Sequence, residues 1–447
     1  TDVSYLCCAQ ILLSSQDFIY PKFATHNAYT VAALLTLIEK KGYSKQFEFQ
    51  NLQGMGKSLH EQIIKKGIPC RIYAPVGSHK ELLPYLVRRL LENGANNSFV
   101  NQIGNDKISI DVLISNPVEQ LLKFKSKRHN QISLPRDIFP GRVNSSGCNF
   151  TQLSFLKSLQ DEFNQFDQRQ YTAGFDAREG DNPPSGSNSV YNPSESTKKI
   201  GDVLFNSLHE VDVVFDRAES AHFEWQSREV EQRALICEQI ALQIESNRAE
   251  LLYLLQTEAG KTLVDAIDEI REAIDFCRYY AQQARTVCSP TMLAGYTGES
   301  DEMTLVGRGV VVCISPWNFP LAIFTGQIVA ALVVGNTVIA KPAEQTNLVA
   351  SRMVELMYAA GIPHEVLTLM LGRGEVIGDA LVKHAKVSAV MFTGSTDTAQ
   401  LIQRELAVKK GPITPLIAET GGINALVADS SALLEQLTRD VVRSAFG

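Results

Sequence analysis

Tyr85, Arg88, Arg89 and Glu92 fall within one run, Tyr85-Leu-Val-Arg88-Arg89-Leu-Leu-Glu92. Three- and four-residue spacings put Tyr85 and both arginines on one helical face, and Glu92 extends that face by a turn. Two adjacent guanidiniums offer forked donors that match the two oxygens of a small carboxylate, with a phenol beside them. The same run also describes a solvated Arg–Glu face. Leu82, Leu83, Leu86, Leu90 and Leu91 are expected to form the packed side. Tyr73 ends the strand-like run Cys70–Tyr73, just before a loop containing Gly77. Leu52, followed by Gly54-Met55-Gly56, ends the preceding run, and Thr25-His26-Asn27 ends the one before that. Barrel enzymes gather their sites at such strand ends. His26 taken alone reads as a hydrogen-bonded structural imidazole before it reads as a catalyst.

A second set of residues lies beyond position 300. In Ser315-Pro-Trp-Asn318-Phe-Pro320, an Asn at a strand-to-helix turn can aim its amide at a developing oxyanion, or simply make an Asx turn. Lys341-Pro-Ala-Glu344 can hydrogen-bond ribose hydroxyls or form an exposed ion pair. Gly372-Arg-Gly374-Glu-Val-Ile-Gly378 has the spacing G-x-G-x-x-x-G, one residue away from the dinucleotide fingerprint. Phe392-Thr393-Gly394-Ser395 opens a helix whose first amides can face phosphate. Glu419, before Thr-Gly-Gly422, is either a general base in an apolar strand end or a structural cap. Glu258-Ala-Gly-Lys-Thr262 is not a phosphate loop, because Leu255 stands where the first Gly is required.

These residues need elements to hold them. Strand-like runs begin near Phe23, Phe47, Cys70 and Asn97, with helical patterns at Ala28–Lys41, Gly56–Lys66 and Lys80–Asn93 between them and Val3–Leu13 ahead. This alternation predicts part of a (β/α) barrel or a doubly wound sheet. Residues 126–200 are rich in Ser, Asn, Pro, Gly and Gln and are expected to form a connector with short ordered stretches. Ser207–Trp225, Glu229–Ala259 and Leu263–Ala284 carry apolar stripes of helical period. Strands are expected at Val310–Ile314, Thr337–Lys341, Leu367–Met370, Ala389–Phe392, Pro415–Ala418 and Ala425–Val427. Helices should alternate with them, at Leu321–Val334, Leu348–Ala360, Glu375–Lys383, Thr396–Ala407 and Ser431–Ser444. The whole is a doubly wound, Rossmann-like nucleotide-binding sheet. Gly309–Ala340 carries no charge, but its prolines and polar residues read as one buried βαβ unit rather than a membrane span.

The chain has 447 residues, 42 Lys+Arg against 49 Asp+Glu, and a net charge of −7. That balance argues against a protein devoted to coating nucleic acid or an anionic membrane. Eight cysteines, none at metal-ligand spacing, predict no disulfide framework and no metal site. A first residue of Thr1 and an amphipathic run reaching Gly447 suggest a piece of a longer polypeptide.

The runs Phe23-Ala-Thr-His-Asn27, Phe47-Glu-Phe-Gln50, Arg71-Ile-Tyr-Ala-Pro-Val-Gly77 and Tyr85 to Ala95 closely resemble the proline dehydrogenase domain of the proline utilization A (PutA) family, over about residues 1–120. The resemblance implies a (β/α)8 barrel that binds FAD and oxidises L-proline to pyrroline-5-carboxylate. It places Arg88 and Arg89 on the proline carboxylate, Tyr73, Tyr85 and Leu52 around the ring, and Thr25, His26, Asn27 and Glu92 near the flavin. Residues 195–447 resemble the NAD-dependent aldehyde dehydrogenase superfamily, and the run from Glu258 to Tyr279 is similar to its glutamate-semialdehyde branch within PutA. That resemblance implies Asn318 in the oxyanion hole and Glu419 as general base. It puts Lys341 and Glu344 on the adenosine ribose, and Thr393, Gly394 and Ser395 by the nicotinamide and pyrophosphate. Ser315, Pro316, Trp317 and Gly374 fall in the dinucleotide site, and Phe319 and Glu272 at the substrate.

The family nucleophile is a cysteine in a G-Q-x-C run beyond the segment that ends here at Gly447, and no cysteine follows Cys313. The expected organisation is therefore the C-terminal half of a barrel at 1–125, a connector at 126–200, and an NAD-binding part at 201–447, inactive as an isolated piece. The product of the first reaction, opened by water, is the aldehyde of the second. The family further implies a membrane quinone as electron acceptor, a homo-oligomer, a cytoplasmic or peripheral inner-membrane location, and DNA binding only with an N-terminal module. The alternatives are a catalytically silent homologue and an aldehyde dehydrogenase with an unrelated first domain.

Overall fold

The computed structural model describes residues 2–43, 46–94, 107–126, 128, 131–174 and 187–446, with the side chains of 92–94 and 187 left aside. It divides into two compact units, Thr1–Ile132 and Ser133–Gly447.

In the first unit, helix Asp2–Ser14 precedes β1 (Lys22–Ala24), helix Ala28–Lys41, β2 (Glu48–Leu52), helix Lys57–Lys65, β3 (Cys70–Tyr73) and helix His79–Gly94. The three strands form a parallel sheet in chain order. Asn27 starts helix Ala28–Lys41 because its side-chain oxygen accepts the amides of Tyr29 and Thr30; Gly42, at φ +66°, ends it. Phe23, Phe47 and Phe49 fill the core, with ring centroids 5.8 to 6.1 Å apart, against Leu13, Val31, Leu34 and Ile63. The strand expected near Asn97 lies outside the described residues.

The second unit begins with more order than its composition suggests. Helix Leu153–Phe166 is followed by a sheet of β4 (Tyr171–Ala173), β5 (Ser187–Asn192) and β6 (Glu195–Leu204), in the order β4-β6-β5. Helices His209–Ser227, Val230–Ser246, Arg248–Thr257 and Leu263–Val287 come next, then a hairpin of β7 (Thr291–Leu293) and β8 (Asp301–Met303). The expected single stripe Glu229–Ala259 breaks at Asn247, whose backbone leaves the helical region at φ −106°, ψ 21°.

The main sheet holds β9 (Val310–Ile314), β10 (Thr337–Lys341), β11 (Leu367–Leu369), β12 (Val387–Gly394) and β13 (Leu416–Thr420), all parallel. Its order is β11-β10-β9-β12-β13, so the winding reverses between β9 and β12. Ligands of doubly wound sheets sit at the carboxyl ends of the strands flanking that reversal. Side chains alternate across the sheet. Val311, Cys313, Val338 and Ala340 join the core under helix Ala322–Val333, while Val310, Val312 and Ile339 meet Val211, Val214 and Phe215 of helix His209–Ser227. Burial on both faces explains the uncharged run, and no helix among the described residues is long and apolar enough to cross a membrane. Trp225 Nε1 and Arg233 Nε donate to the carbonyls of Leu332 and Val333, closing the far end of helix Ala322–Val333.

One expected strand is absent. Ala425–Val427 is irregular, with Val427 90% exposed: the glycine pair Gly421-Gly422 breaks the chain after edge strand β13, and no described strand pairs with it. The helix expected over Glu375–Lys383 opens as a single π-helical turn, Gly374–Gly378, before Asp379–Lys383.

Candidate active sites

In the first unit, Tyr73 at the end of β3 meets Tyr85 of helix His79–Gly94, with ring centroids 6.4 Å apart and planes tilted by 48°. The Arg89 guanidinium stands 5.2 Å from the Tyr85 centroid, a cation–π contact. Three of the five residues expected around a small amino acid are therefore brought together, and exposed Arg88 directly precedes Arg89 on the same helix. Leu52 is half-buried at the end of β2, paired in register with Tyr73. The Glu92 side chain lies outside the described residues. The leucines expected to pack this helix are a correction: Leu83, Leu86, Leu90 and Leu91 are exposed, because no described element lies against that side.

Thr25, His26 and Asn27 build the turn after β1. The Asn27 amide donates to Thr25 Oγ1 at 3.1 Å, and the Leu52 amide donates to His26 Nε2 at 3.1 Å. Burial, and next the neighbouring His60, hold His26 below the usual imidazole range. The structural reading of His26 is thus realised, with its other ring nitrogen still available.

In the second unit the expected residues line up along the carboxyl edge of the main sheet. Ser315 follows β9, and its buried hydroxyl has no hydrogen-bond partner among the described residues. Pro316 is partly covered, whereas Trp317 and Asn318 are exposed. Lys341 at the end of β10 is buried; its Nζ donates to the Pro342 carbonyl at 3.0 Å and lies 3.8 Å from Glu344. Burial lowers its pKa, with Glu344 and Glu375 opposing. The exposed-pair alternative therefore holds for Glu344 only. A Cβ on Gly372 would strike Ile377 at 2.5 Å, so the turn requires glycine there; Gly374 is open to solvent. Gly394 leaves no room for a Cβ, which would lie 2.6 Å from the Phe392 ring. Ser395 caps helix Thr396–Val408 by accepting the Thr398 amide at 3.1 Å.

Glu419 stands on β13 opposite Thr393 and is exposed among the described residues. Glu272 lies three residues after Glu269 on helix Leu263–Val287. Partial desolvation, and next the Glu269 carboxylate, raise its pKa, while Lys261 opposes.

Sequence reasoning missed the groups that brace this edge. Gln327 Nε2 donates to the Ile314 carbonyl and to Thr393 Oγ1, bridging β9 and β12 at the reversal. A lone amide in an otherwise apolar helix was the available signal, since buried polar groups need partners. Buried Glu258 and Glu269 accept amides at the starts of helices Asn347–Ala359 and Ala322–Val333. Among the described residues no group of His, Cys, Asp and Glu could hold a metal, and the eight cysteines are unpaired.

Residues 182–447 match the aldehyde dehydrogenase family, and residues 1–102 match the proline dehydrogenase family. Over its full length the chain is 46% identical to the bifunctional protein PutA of Klebsiella aerogenes and 44% identical to that of Escherichia coli, covering 34% of each. It thus spans about a third of the length of these curated relatives. A crystal structure of a Bradyrhizobium japonicum proline utilization A mutant is 44% identical, with a TM-score of 0.80 over all of this chain and 42% of that one. Thermus 1-pyrroline-5-carboxylate dehydrogenase with bound NAD is 30% identical, with a TM-score of 0.65 over 70% of this chain and 61% of that one. A nucleotide-type sheet with its polar edge, preceded by parallel strands ending in the Tyr73–Tyr85–Arg89 cluster, agrees with both matches: the chain belongs to the aldehyde dehydrogenase family, carried behind a proline dehydrogenase segment as in PutA.

Proposed function

We propose that this chain is the central part of an enzyme that converts L-proline to L-glutamate. The first step is FAD-dependent oxidation to pyrroline-5-carboxylate, and the second is NAD-dependent oxidation of glutamate semialdehyde. The observation that carries the reading is Lys341, a buried ammonium beside Glu344 at the carboxyl edge of a sheet whose winding reverses next to it. A buried lysine and a carboxylate there supply a donor and an acceptor for two ribose hydroxyls.

The residues present fit NAD. Ser315 Oγ, Thr346 Oγ1 and Asn347 Oδ1 are buried on this edge without partners among the described residues, and a polar ligand would satisfy them. NAD supplies a hydride acceptor when bound. Lys341 and Glu344 hold the ribose, Ser315, Pro316, Trp317 and Gly374 line the dinucleotide, and Thr393, Gly394 and Ser395 border the phosphates and nicotinamide. Asn318 donates its amide to the aldehyde oxygen, Glu419 accepts a proton from water, and Phe319 and Glu272 contact the substrate.

The donor set of the first unit also fits its group: His26 keeps one ring nitrogen and Asn27 its side-chain Nδ2, with Thr25 beside them, for a flavin. FAD supplies a hydride acceptor for the proline ring. Arg88 and Arg89 grip the proline carboxylate, while Tyr73, Tyr85 and Leu52 shield the ring from water. To the full-length protein we also assign a quinone acceptor at the inner membrane and self-association, both from family resemblance.

The test is direct. L-proline should bleach the flavin of the purified full-length protein, and pyrroline-5-carboxylate should then reduce NAD. Absence of both reactions in flavin-loaded protein overturns the reading.

A further inference from the structure

The carboxylate of Glu269 is fully buried and makes three polar contacts. Its Oε1 accepts the backbone amides of Leu321 at 2.7 Å and Ala322 at 3.1 Å. Its Oε2 lies 2.6 Å from Lys261 Nζ. That ammonium stands in turn 4.1 Å from the centroid of the Phe319 ring. The contacts converge on one short segment, Phe319 to Ala322, which directly follows Asn318 and turns into helix Ala322–Val333. Among the described residues no hydrogen bond restrains the exposed side chain of Asn318, so the backbone of this segment sets the Cα–Cβ direction from which its amide reaches out. The other end of the helix is already fastened by Trp225 and Arg233.

We infer that Glu269, paired with Lys261, is a positioning residue for Asn318: it pins the turn after the loop so that the amide meets the aldehyde oxygen. The inference rests on the aldehyde-oxidising reading above. A carboxylate suits the positive end of a helix, and a buried ion pair holds one geometry because either partner left alone is costly. Lys261 also fixes the Phe319 ring, so one charge pair sets both neighbours of the reacting carbonyl.

The experiment compares Glu269→Gln, Lys261→Met and Lys261→Arg in the full-length, flavin-loaded protein. Glu269→Gln keeps one acceptor for the amides but sets an NH2 group against the Lys261 ammonium. Glu269→Gln and Lys261→Met should lower kcat for aldehyde oxidation about 10- to 100-fold, with Kd for NAD within about threefold of wild type. Lys261→Arg, which restores the pair, should recover kcat to within about threefold. Proline oxidation, measured in the same samples, should be unchanged.

Values of kcat equal to wild type in both disruptive variants overturn the inference. So does a parallel loss of kcat and NAD affinity in both, which marks a purely structural group. If Glu269→Gln does not fold, the Met and Arg variants of Lys261 decide. A wild-type protein that reduces no NAD removes the functional reading itself, whereas an active wild type with indifferent variants removes only the positioning role.

Discussion

His26 accepts the backbone amide of Leu52 through Nε2 at 3.1 Å, so the end of β1 is tied to the end of β2. Only an unprotonated ring nitrogen can accept that bond. Burial, then His60, lowers the His26 pKa in the folded protein. The unfolded chain takes up its proton near pH ~6.5. The stabilisation is therefore complete above that value and is lost as pH falls toward the folded pKa. Thermal melts of the first unit within the full-length protein, from pH 7.5 down to 5, should show a falling Tm that His26→Gln flattens. Identical slopes for the two proteins would refute this.

Arg89 and Tyr73, each against Tyr85, make a cationic and aromatic corner. If Arg88 and Arg89 hold the substrate carboxylate, Arg88→Met removes charge-assisted bonds of about 1.5–3 kcal/mol, so KM for proline should rise about 10- to 100-fold. Aldehyde oxidation, which the proposed function assigns to the second unit, should stay at its wild-type rate. Steady-state kinetics of both reactions check this, and equal losses in the two would sink the carboxylate assignment.

Much of this arrangement could be read from residue order. Val310–Ile314 and Thr337–Lys341 are runs of buried β-branched and apolar residues with no charge before Lys341, and the observed strands have the same limits. Lys341 was visible because a charge closing such a run must sit at a strand end. Glu258 and Glu269 were not visible as caps: their targets, Leu348 and Leu321, lie 90 and 52 residues away, and no local pattern encodes a bond made only when two layers pack. The break at Asn247 was hidden because the apolar period continues across it. Ala425–Val427 misled because apolar composition promises a strand only where a neighbouring strand can accept it.

Lys341 offers a test of the cofactor edge. Its buried ammonium already has one carbonyl partner, the Pro342 oxygen. Lys341→Met keeps the volume and removes the donors. Kd for NAD should rise by about tenfold, the worth of one charged hydrogen bond, with a smaller change in kcat. Fluorescence titration with NAD measures the first and single-turnover kinetics the second. Unchanged affinity would place the ribose elsewhere.

Glu258 joins the helical layer to the sheet in the same way as Glu269, but with each oxygen on a separate amide: Leu348 and Val349 donate to Oε1 and Oε2 at 2.8 Å. The two amides favour the carboxylate, yet burial outweighs them and raises the group to about 8. An acid raised on folding stabilises most below its unfolded pKa and loses that contribution as pH climbs to the folded value. The relevant window here runs from the ordinary carboxyl range to about 8. Glu258→Gln cannot ionise, and its NH2 group confronts the Val349 amide, a donor against a donor that costs about 1–3 kcal/mol. Wild type should therefore exceed the variant in Tm by the widest margin near pH 5, with the gap narrowing steadily toward pH 8. Thermal unfolding followed by tryptophan fluorescence across that range decides the matter, because Trp225 is buried in the core of the same unit. A gap independent of pH would mean that Glu258 keeps one protonation state throughout.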